Sequence, residues 1–274
     1  CGSVEVINKI KNTIDTVEYI SSQQDATIDI SKLMREAALY YHLQLKSNSK
    51  ASTAIDILHT WGIKGKTIVQ LGIGFHDNSF NSFMNYMIKQ KSYSITQLEE
   101  AKLVLQSDKG NYYDKMRNSI IIPTIDANGN VVCFDFYITN KQQLFKYPNT
   151  KYFERSQNLY SYNLAIKSNK KGVIVVTTYE DYFKLIGLGF TNVVSTYQPK
   201  ITETQLALLK QKFKVLILIA NQDVNSAFCS KYCQKNNMRF DQIDLQNYSS
   251  VIEYIEKNSK MIMDKLNEYE CNSY

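Results

Sequence analysis

Three acidic residues follow two apolar segments of the chain, and carboxylates in such positions can hold a divalent metal. Glu180 and Asp181 come shortly after the segment 172–176, and Asp223 comes shortly after the segment 215–220. Both segments are short and continuously apolar, which is typical of strands that are buried on both faces. Carboxylate oxygens are the ligands that Mg²⁺ prefers, and pairs of Mg²⁺ ions support phosphoryl transfer. Metal-assisted phosphoryl transfer is therefore the first chemistry to consider.

The elements that must position these acids alternate between strand and helix. After Gly172 the pattern predicts strands at 173–176, 192–196 and 215–220, and helices at about 180–188, 202–212, 224–236 and 249–268. Alternation of this kind is typical of a parallel sheet packed between helices. The C-terminal half is therefore predicted to be an α/β layer with the acids near its strand ends.

The N-terminal half has a different pattern. Helical periodicity predicts helices at 4–22, from Asp29 or Ser31 to about 45, at 54–61 with Gly62 as the C-terminal cap, at 79–90 and at 95–106. Alternation and glycines favour a strand from Thr67 to Phe75. Two apolar runs, 119–125 and 131–137, flank a turn that contains Asn-Gly, which is typical of a β-hairpin.

Composition restricts the class of protein more than its activity. The chain has 274 residues, a hydrophobic fraction of 44% and a formal net charge of +6. These values are ordinary for a soluble globular protein, and the mild basic bias permits binding to a polyanion without requiring it. The five cysteines lack the C-x-x-C pairs of a zinc site, and the three histidines are scattered. No apolar run approaches the roughly 20 residues that span a bilayer, and the N-terminus lacks the apolar segment of a signal peptide, so a cytoplasmic location is expected.

Several motifs, in order along the chain, resemble those of bacterial DNA primases, the DnaG family. The segment Y-D-K-M-R-N-S-I-I-I-P at 113–123 is similar to the family's Y-D-R-F-R-x-R-I-x-F-P, and D-A-N-G-N-V-V-C-F at 126–134 is similar to D-x-x-G-x-V-I-G-F. Further on, K-Y-P-N-T at 146–150 resembles K-Y-L-N-S, and Arg155 stands at the lysine of F-x-K. Upstream, W-G-I at 61–63 resembles R-G-I. The resemblance extends from about residue 31 to 240.

This resemblance implies an α/β fold in two parts. A mixed α/β N-terminal subdomain at 31–165 would precede a toprim domain at 166–248, which is a parallel-sheet, Rossmann-like domain of a DnaG-type primase core. Residues 1–30 would form an N-terminal helix and linker, and residues 249–274 a C-terminal helix. The resemblance also implies that this chain lacks the family's zinc-binding and helicase-binding modules.

The family binds single-stranded template in a basic groove between its two parts. The resemblance places Lys115, Arg117, Lys146 and Arg155 at basic positions of this groove, where they could contact phosphates. Tyr147 and Tyr113 could stack on unpaired bases, and Asn149 matches the asparagine of the same motif. Other basic positions are lost, because the family's G-G-R reads Asp135-Phe136-Tyr137 here. Single-stranded DNA is the expected partner, and a replicative helicase is a second candidate.

The metal site of the family is only partly preserved. The toprim glutamate position reads Thr177, and the family's D-G-D reads Asn221-Gln222-Asp223. Asp181 matches a second acid of the first motif, while Glu180 is a candidate replacement for the lost glutamate. Two formal negative charges are missing, and each carboxylate close to a divalent ion contributes several kcal/mol. Weak or absent binding of Mg²⁺ or Mn²⁺ is expected.

Three functional hypotheses follow. The first is a primase-like replication protein that has lost most catalysis and binds single-stranded nucleic acid or a replication partner. The second is an active, divergent primase, a DNA-directed RNA polymerase, that uses Glu180, Asp181 and Asp223 as an altered metal set with Mg²⁺ or Mn²⁺. The third is a structural protein that makes protein contacts alone.

Overall fold

The computed structural model describes residues 29–220, 226–244, 248, 253–254, 257–258 and 260. The first elements of the fold are helical, and Asp29 begins them as an N-cap whose side chain accepts a hydrogen bond from Lys32 N. They are α1 (Ile30–Ser47), α2 (Ser52–Thr60), α3 (Gly65–Leu71), α4 (Ser82–Lys91) and α5 (Ile95–Glu100). The predicted helix at 4–22 lies outside the described residues, as does most of the predicted C-terminal helix at 249–268.

An antiparallel sheet forms the centre of the N-terminal half. Its strands are β1 (Gly74–His76), β4 (Ser119–Ile125), β5 (Val131–Ile138) and β6 (Gln143–Phe145), in that order across the sheet. A separate hairpin is made by β2 (Val104–Gln106) and β3 (Tyr112–Asp114). The predicted turn between β4 and β5 is confirmed, and Gly129 occupies it with a φ of 89° that a side-chain-bearing residue rarely adopts.

The C-terminal half is built on a parallel sheet with the strand order β10-β9-β7-β8. Its elements are α6 (Tyr162–Ala165), β7 (Gly172–Val176), α7 (Tyr179–Gly187), β8 (Val193–Ser195), α8 (Glu203–Lys210), β9 (Val215–Ala220), α9 (Ser226–Lys235) and β10 (Arg239–Asp244). Every residue of β7 and β9 is buried, as their continuous apolar character predicts. The predicted fold class, a mixed α/β half followed by a parallel-sheet half, is confirmed.

Two predicted elements are wrong. Residues 67–71 belong to helix α3 and not to a strand: Gly72, with a φ of 65°, ends the helix, and only Gly74–His76 is extended. The predicted helix at 95–106 ends at Glu100, because Lys102 has a φ of 55° and the following residues pair with β3. Sequence patterns also missed β6, which has only three residues, and β10, whose sequence R-F-D-Q-I-D is largely polar.

The two halves meet at the end of α2 and the side of α7. The ring of Trp61 stacks on Phe183 at a centroid distance of 5.3 Å and an interplanar angle of 6°. Nearby, the backbones of Gly62 and Gly187 approach so closely that a Cβ on Gly187 would lie 2.7 Å from the carbonyl oxygen of Gly62. Only glycine permits this contact, so the joint between the halves is fixed by backbone geometry. Among the described helices, none has the length and apolarity needed to cross a bilayer.

Candidate nucleic-acid and metal site

The carboxyl end of β7 leads directly into α7, and the side chains there are tied to each other. Thr178 is the N-cap of α7: its Oγ1 accepts a hydrogen bond from Asp181 N at 3.1 Å. The same hydroxyl donates to Asp181 Oδ2 at 2.7 Å. Thr177, at the family's glutamate position, is half-buried and neutral, whereas Glu180 is exposed in the first turn of the helix. The described part of this edge therefore offers two carboxylates, of which Asp181 serves the helix cap.

The second strand of the predicted metal site is β9, which lies beside β7 in the sheet. The two strands are parallel, so their carboxyl ends lie at the same edge of the sheet. This agrees with the parallel sheet that the sequence pattern predicted. Asn221 and Asp223 follow β9 and lie outside the described residues. Across the residues that the structure describes, no three His, Cys, Asp or Glu side chains are grouped so as to hold a metal ion.

A buried ion pair links strand β5 to the segment 146–155, which carries four of the predicted groove residues. Asp135, on β5, has a fully buried side chain that accepts hydrogen bonds from Arg155 Nη1 at 3.0 Å and Nη2 at 2.8 Å. The carboxylate also accepts from Tyr147 N at 2.7 Å and from the Tyr179 hydroxyl at 2.9 Å. Tyr179 is the first residue of α7, so this network connects the antiparallel sheet to the parallel-sheet half.

The electrostatics of this network follow from its burial. Burial alone would lower the pKa of Arg155, but the hydrogen bonds and charge of Asp135 outweigh it and raise the pKa. Burial also raises the pKa of Tyr179 well above its ordinary value, and the charge of Asp135 acts in the same direction. Arg155 therefore stays charged and Tyr179 stays a neutral donor, which matches the hydrogen bonds that they make.

Two of the seven predicted nucleic-acid contacts, Tyr147 and Arg155, are thus buried, and the geometry gives them structural roles. The side chain of Arg155 is 10% exposed and turned towards Asp135, and its Nη2 also donates to Tyr147 O at 3.0 Å. Tyr147 is buried, and its hydroxyl donates to Ala101 O. Arg155 is buried because Asp135 provides a negative partner for its guanidinium inside the fold, in place of a phosphate at the surface.

Lys146 and Asn149 are exposed on either side of Tyr147. Lys146 Nζ donates to the backbone oxygen of Tyr197 at 2.6 Å, which links it to the parallel-sheet half. Partial burial, followed by the nearby charge of Arg155, lowers the pKa of Lys146. Asn149 Oδ1 accepts a hydrogen bond from Arg155 N at 3.2 Å, and its amide group keeps donor capacity for other partners.

Lys115 and Arg117 follow strand β3 and are each placed against an aromatic ring. Lys115 Nζ lies 5.4 Å from the centroid of the Tyr147 ring, and burial together with the charge of Lys102 lowers the pKa of Lys115 to about 8. Arg117 Cζ lies 3.5 Å from the centroid of Phe80, a side chain that is 60% exposed. An arginine over an exposed aromatic ring offers both a phosphate contact and a surface on which a base can stack. Sequence reasoning missed Phe80. Its only signal in the sequence is a single aromatic residue with polar residues on both sides.

Asp114, between the predicted contacts Tyr113 and Lys115, has a role that the sequence did not reveal. Its carboxylate is fully buried and accepts hydrogen bonds from Phe83 N at 3.0 Å and Met84 N at 2.9 Å, which caps the N-terminus of α4. It also contacts His76 Nε2 at 3.0 Å. Asp114 therefore anchors α4 against β1 and β3, and the half-buried Tyr113 keeps part of its ring accessible.

Comparison with known proteins assigns the family. Residues 40–166 match the model of the N-terminal domain of the DNA primase catalytic core. The chain contains a DnaG-type primase core. The DNA primase of Clostridium acetobutylicum is 30% identical over an alignment of 248 residues, and the match covers 81% of this chain and 41% of that protein. This chain therefore spans less than half of the length of the curated primases that it resembles.

Solved primase cores have the same fold. The E. coli primase catalytic core superimposes with a TM-score of 0.75 at 19% identity, covering 87% of this chain and 79% of that one. A DnaG primase catalytic domain bound to ssDNA gives a TM-score of 0.74 at 19% identity, covering 87% of this chain and 80% of the other. Together with the parallel sheet, this likeness is consistent with a toprim-containing primase core.

Proposed function

We propose that this primase core binds single-stranded nucleic acid in DNA replication and is impaired in nucleotidyl transfer. The observation that carries the proposal is the carboxyl end of β7. There the neutral Thr177 takes the glutamate position of the family, and the next acid, Asp181, is hydrogen-bonded to the Thr178 hydroxyl. We further infer that the parallel-sheet half is a toprim domain that begins near residue 166. A replicative helicase stays a predicted partner.

The residues of this chain do not fit a site for two divalent ions. Mg²⁺ and Mn²⁺ bind through several carboxylate oxygens held at the correct spacing. At the three motif positions the sequence supplies Thr177, Asn221 and Asp223, so one carboxylate stands where the family has three. Each missing carboxylate removes several kcal/mol of attraction to a divalent ion at an effective dielectric constant near 20. The proposed function therefore includes no metal-dependent step.

Nucleic-acid binding is supported by the cations that remain accessible. Lys115 and Arg117 lie close together in sequence after β3, and Lys146 is exposed on the adjoining segment. One solved primase domain with the same fold is bound to ssDNA, which supports the same ligand class here. In this arrangement Lys115, Arg117 and Lys146 contact phosphates, while Phe80 provides a stacking surface for a base. Binding of this kind needs no metal ion.

The test of binding is the fluorescence anisotropy of a labelled oligothymidylate, titrated with the protein in EDTA at several salt concentrations. We expect binding that weakens with salt. Because each phosphate contact to a single strand contributes about 0.7 to the slope of log K against log salt, K115A/R117A should lower the slope by about 1.4. A matched control, K109A/K141A, removes two exposed lysines from the turns between β2 and β3 and between β5 and β6. Equal slopes for the test and control variants would contradict the proposed surface.

The impaired metal site has a gain-of-function test. Mn²⁺ binding is measured by electron paramagnetic resonance for the wild type and for the variant T177E/N221D, which restores the two missing acids. We expect weak or undetectable binding by the wild type and clear binding by the variant, because two carboxylates return to the strand ends. Equally tight binding by both proteins would show that the existing residues suffice and would overturn the proposed impairment.

The second candidate, an active divergent primase, rests on the position of Glu180. This carboxylate is exposed in the first turn of α7, two residues beyond Thr178, next to Asp181. With Asp223 these acids would form an altered site for Mg²⁺ or Mn²⁺. The candidate predicts primer synthesis on a single-stranded template that E180A abolishes. Absence of product from the wild type with either metal would eliminate it.

A further inference from the structure

A cavity lies between the two halves, and within the described part of the chain none of the strand-end residues named above lines it. Its volume is about 550 Å³. It is lined by α3, by α6 and the turn that follows it, and by the chain from Tyr182 in α7 to Thr191. On α7 the lining begins at Tyr182, and none of Thr177, Thr178, Glu180 and Asp181 lines the cavity.

The lining combines an apolar floor with a basic rim. Leu71 and Tyr182 are buried in the floor, and Phe190 is half-buried beside them. Lys66 and Lys167 are exposed at the rim, and neither forms an ion pair with another described residue. No acidic residue is among the described residues that line the cavity. A ligand with an apolar body and a negative charge would therefore meet matching chemistry at both ends.

The size of the cavity narrows the ligand class. Small-molecule sites typically measure about 300–1,000 Å³ and combine a mostly apolar wall with a few polar groups. An inorganic anion would leave most of a cavity of about 550 Å³ unfilled. A lysine ammonium binds phosphate as a compact point charge, and an aromatic side chain packs well on a flat ring. These features favour an organic phosphate that contains a ring.

We propose that this cavity binds a small ring-containing phosphate with the chemistry of a mononucleotide, its phosphate against Lys66 and Lys167 and its ring against Phe190. The proposal is independent of single-strand binding and of the metal site, because it uses none of their residues. Thr67 and Thr191 line the same cavity and provide hydroxyl groups for the ligand's polar edge.

The test is isothermal titration of the whole chain with ADP, adenosine and inorganic phosphate, in EDTA so that metal-dependent binding does not contribute. We expect ADP to bind more tightly than either fragment, because only ADP reaches both the rim and the floor. K66A/K167A should weaken ADP binding by about tenfold or more, since it removes both charge-assisted contacts to the phosphate. The control K109A/K141A removes the same net charge outside the cavity and should bind ADP as the wild type does.

A ring-specific variant completes the test. F190L keeps an apolar side chain and removes the ring, so we expect it to weaken ADP but not inorganic phosphate. Thermal unfolding of each variant without ligand confirms that it is folded. The proposal is overturned by no ADP binding at millimolar concentration, by equal affinity for ADP and phosphate, or by equal weakening in the test and control variants.

Discussion

Removal of the buried acid at position 135 should destabilise the protein more than any surface change. In D135A, the guanidinium of Arg155 would stay in a site where its side chain is 10% exposed, without a counter-charge. Breaking a buried ion pair from one side costs about 3–5 kcal/mol, and a buried donor left unsatisfied, here the Tyr179 hydroxyl, costs about 1–3 kcal/mol. Because such costs overlap, we expect the free energy of unfolding to fall by about 4 kcal/mol.

Urea denaturation followed by circular dichroism measures this loss. With a slope of about 2–3 kcal/mol per molar urea, a loss of about 4 kcal/mol moves the midpoint down by roughly 1.5 M while the slope is unchanged. The control is E100Q, which removes the charge of Glu100 in its surface ion pair with the exposed Lys151. Its midpoint should match that of the wild type, because exposed ion pairs contribute little.

A double-mutant cycle isolates the ion pair from the other contacts of Asp135. R155M alone should also destabilise the protein, because it leaves the acid buried without its cation. The double variant D135A/R155M should cost at least about 2 kcal/mol less than the sum of the two single changes. Additivity within about 0.5 kcal/mol would refute the reasoning, since the two side chains would then not depend on each other.

Three further predictions concern the joint, a helix cap and the pH dependence of binding. G187A should destabilise the protein by about 1–3 kcal/mol in urea denaturation, because the new Cβ would lie 2.7 Å from Gly62 O, whereas G65A, with open space around it, should not. D114N should lower the thermal midpoint by removing a charged cap of α4, at a cost of about 1–2 kcal/mol. Lys115, with a pKa of about 8, is charged at pH 7 and neutral by pH 9.5. Single-strand affinity should therefore fall over this interval, and K115R, which stays charged, should reduce the fall.

Local patterns predicted the long apolar strands but not the strands that are very short or largely polar. The hairpin of β4 and β5 is specified by two apolar runs and a glycine turn, all within 20 residues, and it formed as predicted. The segment 67–71 has apolar residues that suit a short strand or a short helix equally well. Its helical state is decided by Gly72, whose positive φ ends α3, and by packing of Leu71 in the core. The packing of Leu71 is a tertiary contact, and a sequence window of seven residues does not reveal it.

The sequence predicted where the strands beside the candidate site end, but it did not predict which of the basic side chains are buried. The placement of Thr177 at the carboxyl end of a buried strand was confirmed, since it follows from the apolar run before it. The burial of Arg155 was missed because its partner, Asp135, lies 20 residues away in sequence. A signal was present: Asp135 is two residues beyond Cys133 on the same buried face of β5. A charge on the inner face of a strand requires a buried counter-charge, and Arg155 was the cation available.

These observations separate the scaffold of the core from its chemistry. The joint between the halves is held by the Gly62–Gly187 approach, by the stacking of Trp61 on Phe183 and by the bond from Tyr179 to Asp135. All three contacts converge on α7, the helix that follows the neutral strand end, so α7 is fixed in position whether or not a metal binds beside it. Loss of negative charge at that edge also removes repulsion towards a polyanion when no metal is present. The proposed binding of single strands and the proposed impairment of the metal site rest on different residues, so nucleic-acid binding and metal affinity must be measured separately.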